Sequence, residues 1–543
     1  MHVLDGQAPG SHAGHRLKLF PARTRLQEPG APSTAAPEDP SLPTAELVAL
    51  AALVTFGLAA RIWVLIHPLG ALDSDEAVIG LIGLHLLQRH HLPTFFWGQN
   101  YGGPHEAVLA ALLFAAIRPS PLVLKAVPVL LSVVAAVLTW RIGSIVVGER
   151  AGRWAGAIFW AAPAAFVWWS TKASVYWGSL TLALVVLLLL VRAARRSRDG
   201  TRYPPWREAG EAALLGLATG LAFWANPQTL YVMVPAYLWY APVILRRWRF
   251  LPVIGATALL GAAPWIRYNL IHHWVSFQFA PQPAVAGGYA GRLRQFFQIA
   301  LPMALGLKVP YTRAWVFGAL GLGVFVALLA LFVVGAFRLP PPARLLVFLA
   351  AVYPFLFAYS PYSWYVDHPR YLLFLAPTAA ILLAAAMPRR LLGGAVAGCI
   401  GVVLIALGAF GLAAMNSSGK TAPYGPDVLV PANLAPLDQL LTRYQVRYAF
   451  ADYWLAYRTT FETRETTLVS PTYVVRDPGI DARVRAAPIP DYLFLASSRS
   501  LPIFEAGCAS LGVPLAVHRS GQYALVVPEK RVLPEDVHPA WQP

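Results

Sequence analysis

Cysteine is nearly absent: Cys399 sits inside an apolar run and Cys508 in a polar stretch, so the chain has neither a disulfide framework nor metal-ligand spacing. Charge is scarce too. Only 13% of the 543 residues are charged against 57% hydrophobic, and the mean hydropathy is +0.54, which excludes an ordinary soluble globular protein. Acidic residues are the scarcer sign, 26 against 43 Lys and Arg, giving a net charge of +17 and a pI near 10.0. The arginines nevertheless lie in short clusters between apolar runs rather than on one basic domain, so the excess does not indicate nucleic acid. A Gly-rich phosphate loop, a nucleotide fingerprint and an internal repeat are all missing, and nothing supports an ATP or nucleotide-sugar site.

What the chain has is long apolar runs. Residues 1–43, rich in Pro, Ala, Gly and His, read as a disordered cytoplasmic tail rather than a cleavable signal peptide. A span needs about 20 apolar residues, and eleven runs qualify: approximately 45–66, 121–141, 154–170, 178–193, 210–225, 229–245, 251–269, 314–336, 342–360, 371–387 and 391–414. Residues 104–117 (PHEAVLAALLFAAI) would make a helix of only about 21 Å and are expected along the interface. Charge supports leaving them out. With a cytoplasmic N-terminus and eleven spans, every inside segment is basic, the strongest being Arg192 to Arg207, while Trp168, Trp169, Trp177, Trp224, Trp265 and Trp364 form an aromatic belt at the other face. Counting 104–117 would move the strongest basic cluster outside. The expected organisation is therefore a cytoplasmic tail (1–43), a transmembrane domain (44–415) and an extracytoplasmic α/β domain (416–543). The last carries alternating helix-like and strand-like stretches (PLDQLLTRY, VRYAFAD, DYLFLASS, PLAVH, QYALVV). The setting is a plasma (inner) membrane crossed many times.

This topology brings five distant segments to the outer interface: Asp73 to Glu76, Tyr101 to Glu106, Thr171 to Trp177, Asn226 to Gln228 and Val366 to Tyr371. Asp73 and Glu76 have the spacing of a capping box ahead of the run Ala77 to Leu87. Asp75 is not needed by that scheme, which makes it the better proton acceptor or metal ligand. Lys172 and Arg370 have the chemistry to hold an anionic head group, or simply to snorkel at the interface. Tyr101, His105 and Glu106 are candidates for contacting an acceptor, although Glu106 equally suits the start of the interfacial helix. The histidines show no metal-ligand spacing. In the C-terminal part ADYWLAYRTTFETRE is the most distinctive stretch, its aromatics fit either for a glycan or for a core.

The long first outer loop with Asp75-Glu76 at a helix start, followed by YGGPHEAVLAALLFA and later RYLLFLAP, resembles the GT-C glycosyltransferases. More closely it is similar to bacterial relatives of the protein O-mannosyltransferases and the lipid A aminoarabinose transferases, over residues 45–415. The resemblance implies a polyprenyl-phosphate sugar as donor, a glycan, lipid or protein acceptor, Asp75 as base with Glu76 beside it, and Arg370-Tyr371 as the late Arg-Tyr pair. Many relatives carry a carboxylate in the outer loop after the third span, where this chain reads TKASVYWGS without one. The chemistry is consistent with the inventory. A phosphate leaving group needs no protonated carboxylic acid, unlike a glycosidase, so one base suffices. The expected reaction is an inverting displacement in which Asp75 takes the acceptor proton while Lys172, Arg370 and Tyr371 meet the donor phosphate. A divalent cation (Mg or Mn) near Asp73 or Asp75 would share that charge. A lipid flippase or transporter is the main rival, but such proteins place polar residues near the midplane and often carry repeats.

Overall fold

The computed structural model describes residues 44–161, 163–201, 203–278, 283–387, 393–415 and 430–538. The expected tail, 1–43, lies outside the described residues. The first part of the chain is helical throughout: α1 (Thr44–Ile66), α2 (Ser74–Arg89), α3 (His105–Ala116), α4 (Pro121–Val146), α5 (Glu149–Ala161), α6 (Ala164–Trp169), α7 (Tyr176–Asp199), α8 (Pro205–Ala225), α9 (Leu230–Leu245), α10 (Leu251–Gly261) and α11 (Ala263–Ile271). It continues with α12 (Gly288–Gln295), α13 (Leu301–Ala304), α14 (Leu320–Arg338), α15 (Arg344–Tyr359), α16 (Ala376–Ala386) and α17 (Gly393–Met415).

Among the described residues eight helices are long and apolar enough to cross a membrane, and nine if α10 and α11, bent by 62° at their junction, count as one span. The chain is a multi-pass membrane protein. The two remaining apolar runs are helical as well. Residues 154–170 are divided between α5 and α6 by Pro163, whose ring cannot donate to a helix ladder. Residues 210–225 form the end of α8, whose opening turns carry Arg207, Glu208 and Glu211. α3, at 12 residues, has the short length that argued against a span. Small residues allow a close helix contact: a Cβ at Gly216 of α8 would lie 2.1 Å from Thr257 Oγ1 of α10.

Beyond residue 430 the chain builds α18 (Ala435–Arg443), β1 (Tyr448–Ala451), α19 (Tyr453–Glu462), β2 (Leu468–Pro471), α20 (Pro478–Arg485), β3 (Asp491–Leu495), α21 (Ser500–Ser510), β4 (Leu515–Ser520) and β5 (Tyr523–Pro528). The five strands form one sheet in the order β2-β1-β3-β5-β4, with β2, β1 and β3 parallel and β5 antiparallel to both β3 and β4. Strand alternation sorts its two faces. Ala449, Leu493 and Leu525 pack with Leu437, Leu440 and Leu441 of α18, whereas Phe450, Tyr492 and Val526 join a cluster that runs into α2 and α3. In that cluster Tyr453, Tyr457 and Phe461, spaced by four along α19, lie on one helical face. Gly80 of α2 makes the approach possible, since a Cβ there would sit 2.5 Å from the Phe461 ring.

Candidate active site

α2 begins as its sequence dictates. Asp73 Oδ1 accepts from the Glu76 backbone N–H at 2.8 Å while Glu76 Oε2 accepts from the Asp73 N–H at 3.3 Å, completing the capping box. The two carboxylates do more than cap. Lys172 Nζ donates to Asp73 Oδ2 at 2.8 Å and to Glu76 Oε2 at 3.2 Å, and Lys125 Nζ donates to Glu76 Oε1 at 2.6 Å and to the Thr171 carbonyl at 3.2 Å. Four buried charges thus form a neutral quartet. Burial alone would lower the Lys172 ammonium, but Asp73 and Glu76 more than reverse this and hold it above its ordinary value. Lys125 was not among the expected site residues; a lone lysine in an otherwise apolar span was the signal for it.

Asp75 is left outside the quartet and faces a cavity of about 420 Å³. The same cavity is lined by Asp73, Glu76, Tyr101, Lys172, Arg370 and Tyr371, so seven of the nine expected site residues share one wall system. Arg370 is held by rings rather than carboxylates: its Cζ lies 5.1 Å from the Tyr371 ring centroid, 5.6 Å from Trp169, 5.8 Å from Tyr176 and 5.9 Å from Tyr365. Among the described residues its Nε has no hydrogen-bond partner. The adjacent Asp367 turns away to Arg313 Nε at 2.8 Å and His368 Nδ1 at 3.0 Å, and those two groups hold its carboxyl below the ordinary value against the effect of burial. Tyr353 Oη donates to the Tyr371 carbonyl at 2.6 Å and anchors the turn that carries Arg370.

The other two expected residues, His105 and Glu106, do not line the cavity. His105 packs edge-on against Trp224 at 4.7 Å, and burial lowers its imidazole to about 4. Glu106 accepts from the Ser174 N–H at 2.8 Å and from the Trp177 and Gly178 N–H groups at 3.1 Å. It therefore caps α7, whose own N-cap residue, Val175, offers no side-chain acceptor. Burial pushes its carboxyl up to about 8, with the three N–H bonds pulling the other way. Because an unfolded glutamate ionises near 4.5, this group favours the fold at low pH, and its contribution is lost as pH rises from about 4.5 through 8. Glu106→Gln is expected to remove that part of the pH dependence of thermal melting, and Glu106→Ala to cost about 2–3 kcal/mol by leaving buried N–H groups unpaired. Wild-type stability at Glu106→Ala would contradict the capping role.

A divalent cation does not fit these residues. Among the described residues no three His, Cys, Asp or Glu are arranged to hold a metal ion, and the cation opposite Asp73 is the Lys172 ammonium.

The remaining wall comes from residues far along the chain: Tyr453, Trp454, Tyr473, Val474 and Arg476. None was expected at the site, although Tyr453 and Trp454 belong to the aromatic stretch noted in the sequence.

No known protein family matches the chain by sequence, nor does any curated protein. Among solved structures, ArnT from Cupriavidus metallidurans in the apo state superposes with a TM-score of 0.58 over 89% of this chain and 98% of ArnT, at 13% identity. The chain has the GT-C fold of ArnT. ArnT bound to undecaprenyl phosphate gives a TM-score of 0.56 over 89% and 97% of the two chains, at 12% identity. The Archaeoglobus fulgidus oligosaccharyltransferase in the apo form, at a TM-score of 0.49 and 12% identity over 91% of this chain and 77% of its own, adds nothing further.

Proposed function

We propose that the chain is an inverting glycosyltransferase that moves a sugar from a polyprenyl phosphate to an acceptor hydroxyl at the extracytoplasmic face of the membrane. The observation that carries this reading is the placement of Asp75 and Arg370, which pairs with no carboxylate among the described residues, on one cavity, with an apolar groove lined from Leu372, the residue after Tyr371 of the cavity wall. Lys172, Arg370 and Arg476 oppose Asp73, Asp75 and Glu76 in the lining, and Lys125 behind Glu76 adds one positive charge in excess. A sugar phosphodiester brings one negative charge and fits that excess. In the reaction the acceptor O–H proton passes to Asp75, the acceptor oxygen bonds to the anomeric carbon, and the bond from that carbon to the phosphate oxygen breaks. The departing polyprenyl phosphate gains its second negative charge beside Arg370, whose orphaned N–H is the donor available to it. Lys172, expected as a phosphate ligand, contributes through its ion pairs with Asp73 and Glu76. Glu106 is out of reach as an acid, and none is needed.

The lipid tail has an apolar place to lie. Two residues after Arg370, Leu372 enters the lining of a groove of about 180 Å³ with Phe166, Leu301, Leu375 and Ala379. A smaller cavity of about 60 Å³ shares Phe166, Ala304, Leu305, Ala376 and Ala379 with it. ArnT, of the same fold, has been solved with undecaprenyl phosphate bound.

The test is to supply the purified protein in lipid nanodiscs with a panel of undecaprenyl-phosphoryl hexoses and pentoses and measure release of undecaprenyl phosphate. Release with none of them, or transbilayer movement of the intact lipid without release in vesicles, sinks the transferase reading. Ala379→Trp is expected to raise the KM of the undecaprenyl donor about tenfold, corresponding to about 1.4 kcal/mol of lost tail contact. A two-isoprene analogue of the same sugar would be affected little, and equal effects on both would refute the groove assignment.

A further inference from the structure

One wall of the cavity is built by residues that follow the last span, and it touches Asp75 directly. The Tyr453 hydroxyl donates to Asp75 Oδ1, and Arg476 Nε donates to the Tyr453 oxygen at 3.3 Å. We infer that Tyr453 is a positioning residue for Asp75, with Arg476 orienting the Tyr453 phenol, so that the C-terminal part of the chain sets the geometry of the proton acceptor. This rests on Asp75 being the base, as proposed above.

The direction of each bond is fixed by chemistry. An ionised carboxylate only accepts and a guanidinium only donates, so the phenol receives a bond from Arg476 and passes one to Asp75. Burial, and then the Asp75 charge, hold the Tyr453 phenol well above its ordinary value, which keeps its proton in place. With Oδ1 taken, Oδ2 is the oxygen left for an acceptor hydroxyl, and the side chain is held in one orientation. The phenol is itself held firmly. Ser74 Oγ donates to the Tyr453 carbonyl at 2.5 Å, Asp452 caps α19 by accepting from the Trp454 N–H at 2.9 Å, and the Tyr453 ring is 5% exposed. Arg476 is fixed by its backbone N–H, which donates to Tyr457 Oη at 2.6 Å, and by the Phe96 ring 5.5 Å from its Cζ. The other charged or imidazole side chains lining the cavity are Asp73 and Glu76, tied to Lys172, with Arg370 and His368. Among the described residues neither arginine in the lining forms an ion pair with a carboxylate, and Tyr453 links Asp75 to the positive charge of Arg476.

Tyr453→Phe removes the hydroxyl and keeps the ring. With an undecaprenyl-phosphoryl sugar that the wild type turns over, kcat is expected to fall about tenfold, a fraction of what a general base supplies, with KM within about twofold. The acid limb of the kcat profile is expected to move to higher pH, because a hydrogen bond to the charged form of the base is lost. Arg476→Gln leaves every Asp75 contact in place and is expected to move the limb the same way by less. Thermal melts check that both variants fold. Tyr453→Phe with wild-type kcat and profile overturns the inference, as does a loss of kcat with an unmoved acid limb in both variants, which is what a packing role gives. Full turnover by Asp75→Asn would instead place the failure with the base assignment.

Discussion

Asp75→Asn is expected to cut turnover by about 10²–10⁴-fold, the range a positioned general base supplies, while leaving the melting temperature and donor KM close to wild type. The separation of effects follows from what Asp75 does not do. Helix capping falls to Asp73 and Glu76, and neutralisation of the lysines to the same two groups. An asparagine can still accept from Tyr453 through its carbonyl oxygen, so the link to α19 survives. What is lost is the ability to take a proton. Turnover rate measured with an undecaprenyl-phosphoryl sugar, alongside a melt in the same detergent, decides it: full activity removes Asp75 as base, and a collapsed melt shows that it is structural.

Glu76→Ala has the opposite signature, a cost of about 3–5 kcal/mol in stability, because breaking a buried ion pair leaves its partner charged and unpaired. Glu76 is 1% exposed and stands between two ammonium groups, Lys125 at 3% and Lys172 at 2%. Without it, Asp73 is the quartet's one remaining carboxylate. The double variant Glu76→Ala/Lys125→Met is expected to recover much of the loss by removing one of the stranded charges along with its partner. The measurement is the unfolding midpoint of the single and double variants. A single variant as stable as wild type would mean that water reaches the quartet and that it is not what holds α2 and α4 to the turn after α6.

Local chemistry was readable where it depends on near neighbours. The capping box at Asp73 and Glu76, the short helix at 105–116, the apolar runs and the strand-like stretches after 430 all follow from periodicities of a few residues. Asp75 stood out by elimination, since capping had no use for it. Other features depend on what the fold brings together. Lys125 lies four residues into an apolar helix and looks like a stray charge until Glu76, 49 residues earlier, closes on it. Lys172 read as a phosphate ligand because its partners were 96 and 99 residues away. Glu106 and His105 sit beside Tyr101 in sequence, yet a helix start turns them behind the wall while Tyr101 stays in it. Tyr453 and Arg476 could be seen as aromatic and basic, but nothing local connects them to residue 75.

The contact between Tyr453 and Asp75 closes a loop of 378 residues. At about 5–20 residues per second, the ribosome takes about 20–75 s to travel from one to the other. During that interval the helices between them are made and the quartet around Glu76 can form, because Lys125 and Lys172 emerge early. The wall bearing Tyr453 and Arg476 is missing until translation has passed residue 476. A nascent chain already in the bilayer therefore carries Asp75 without its hydrogen-bond partner, and the cavity is complete only once translation has passed the last strands.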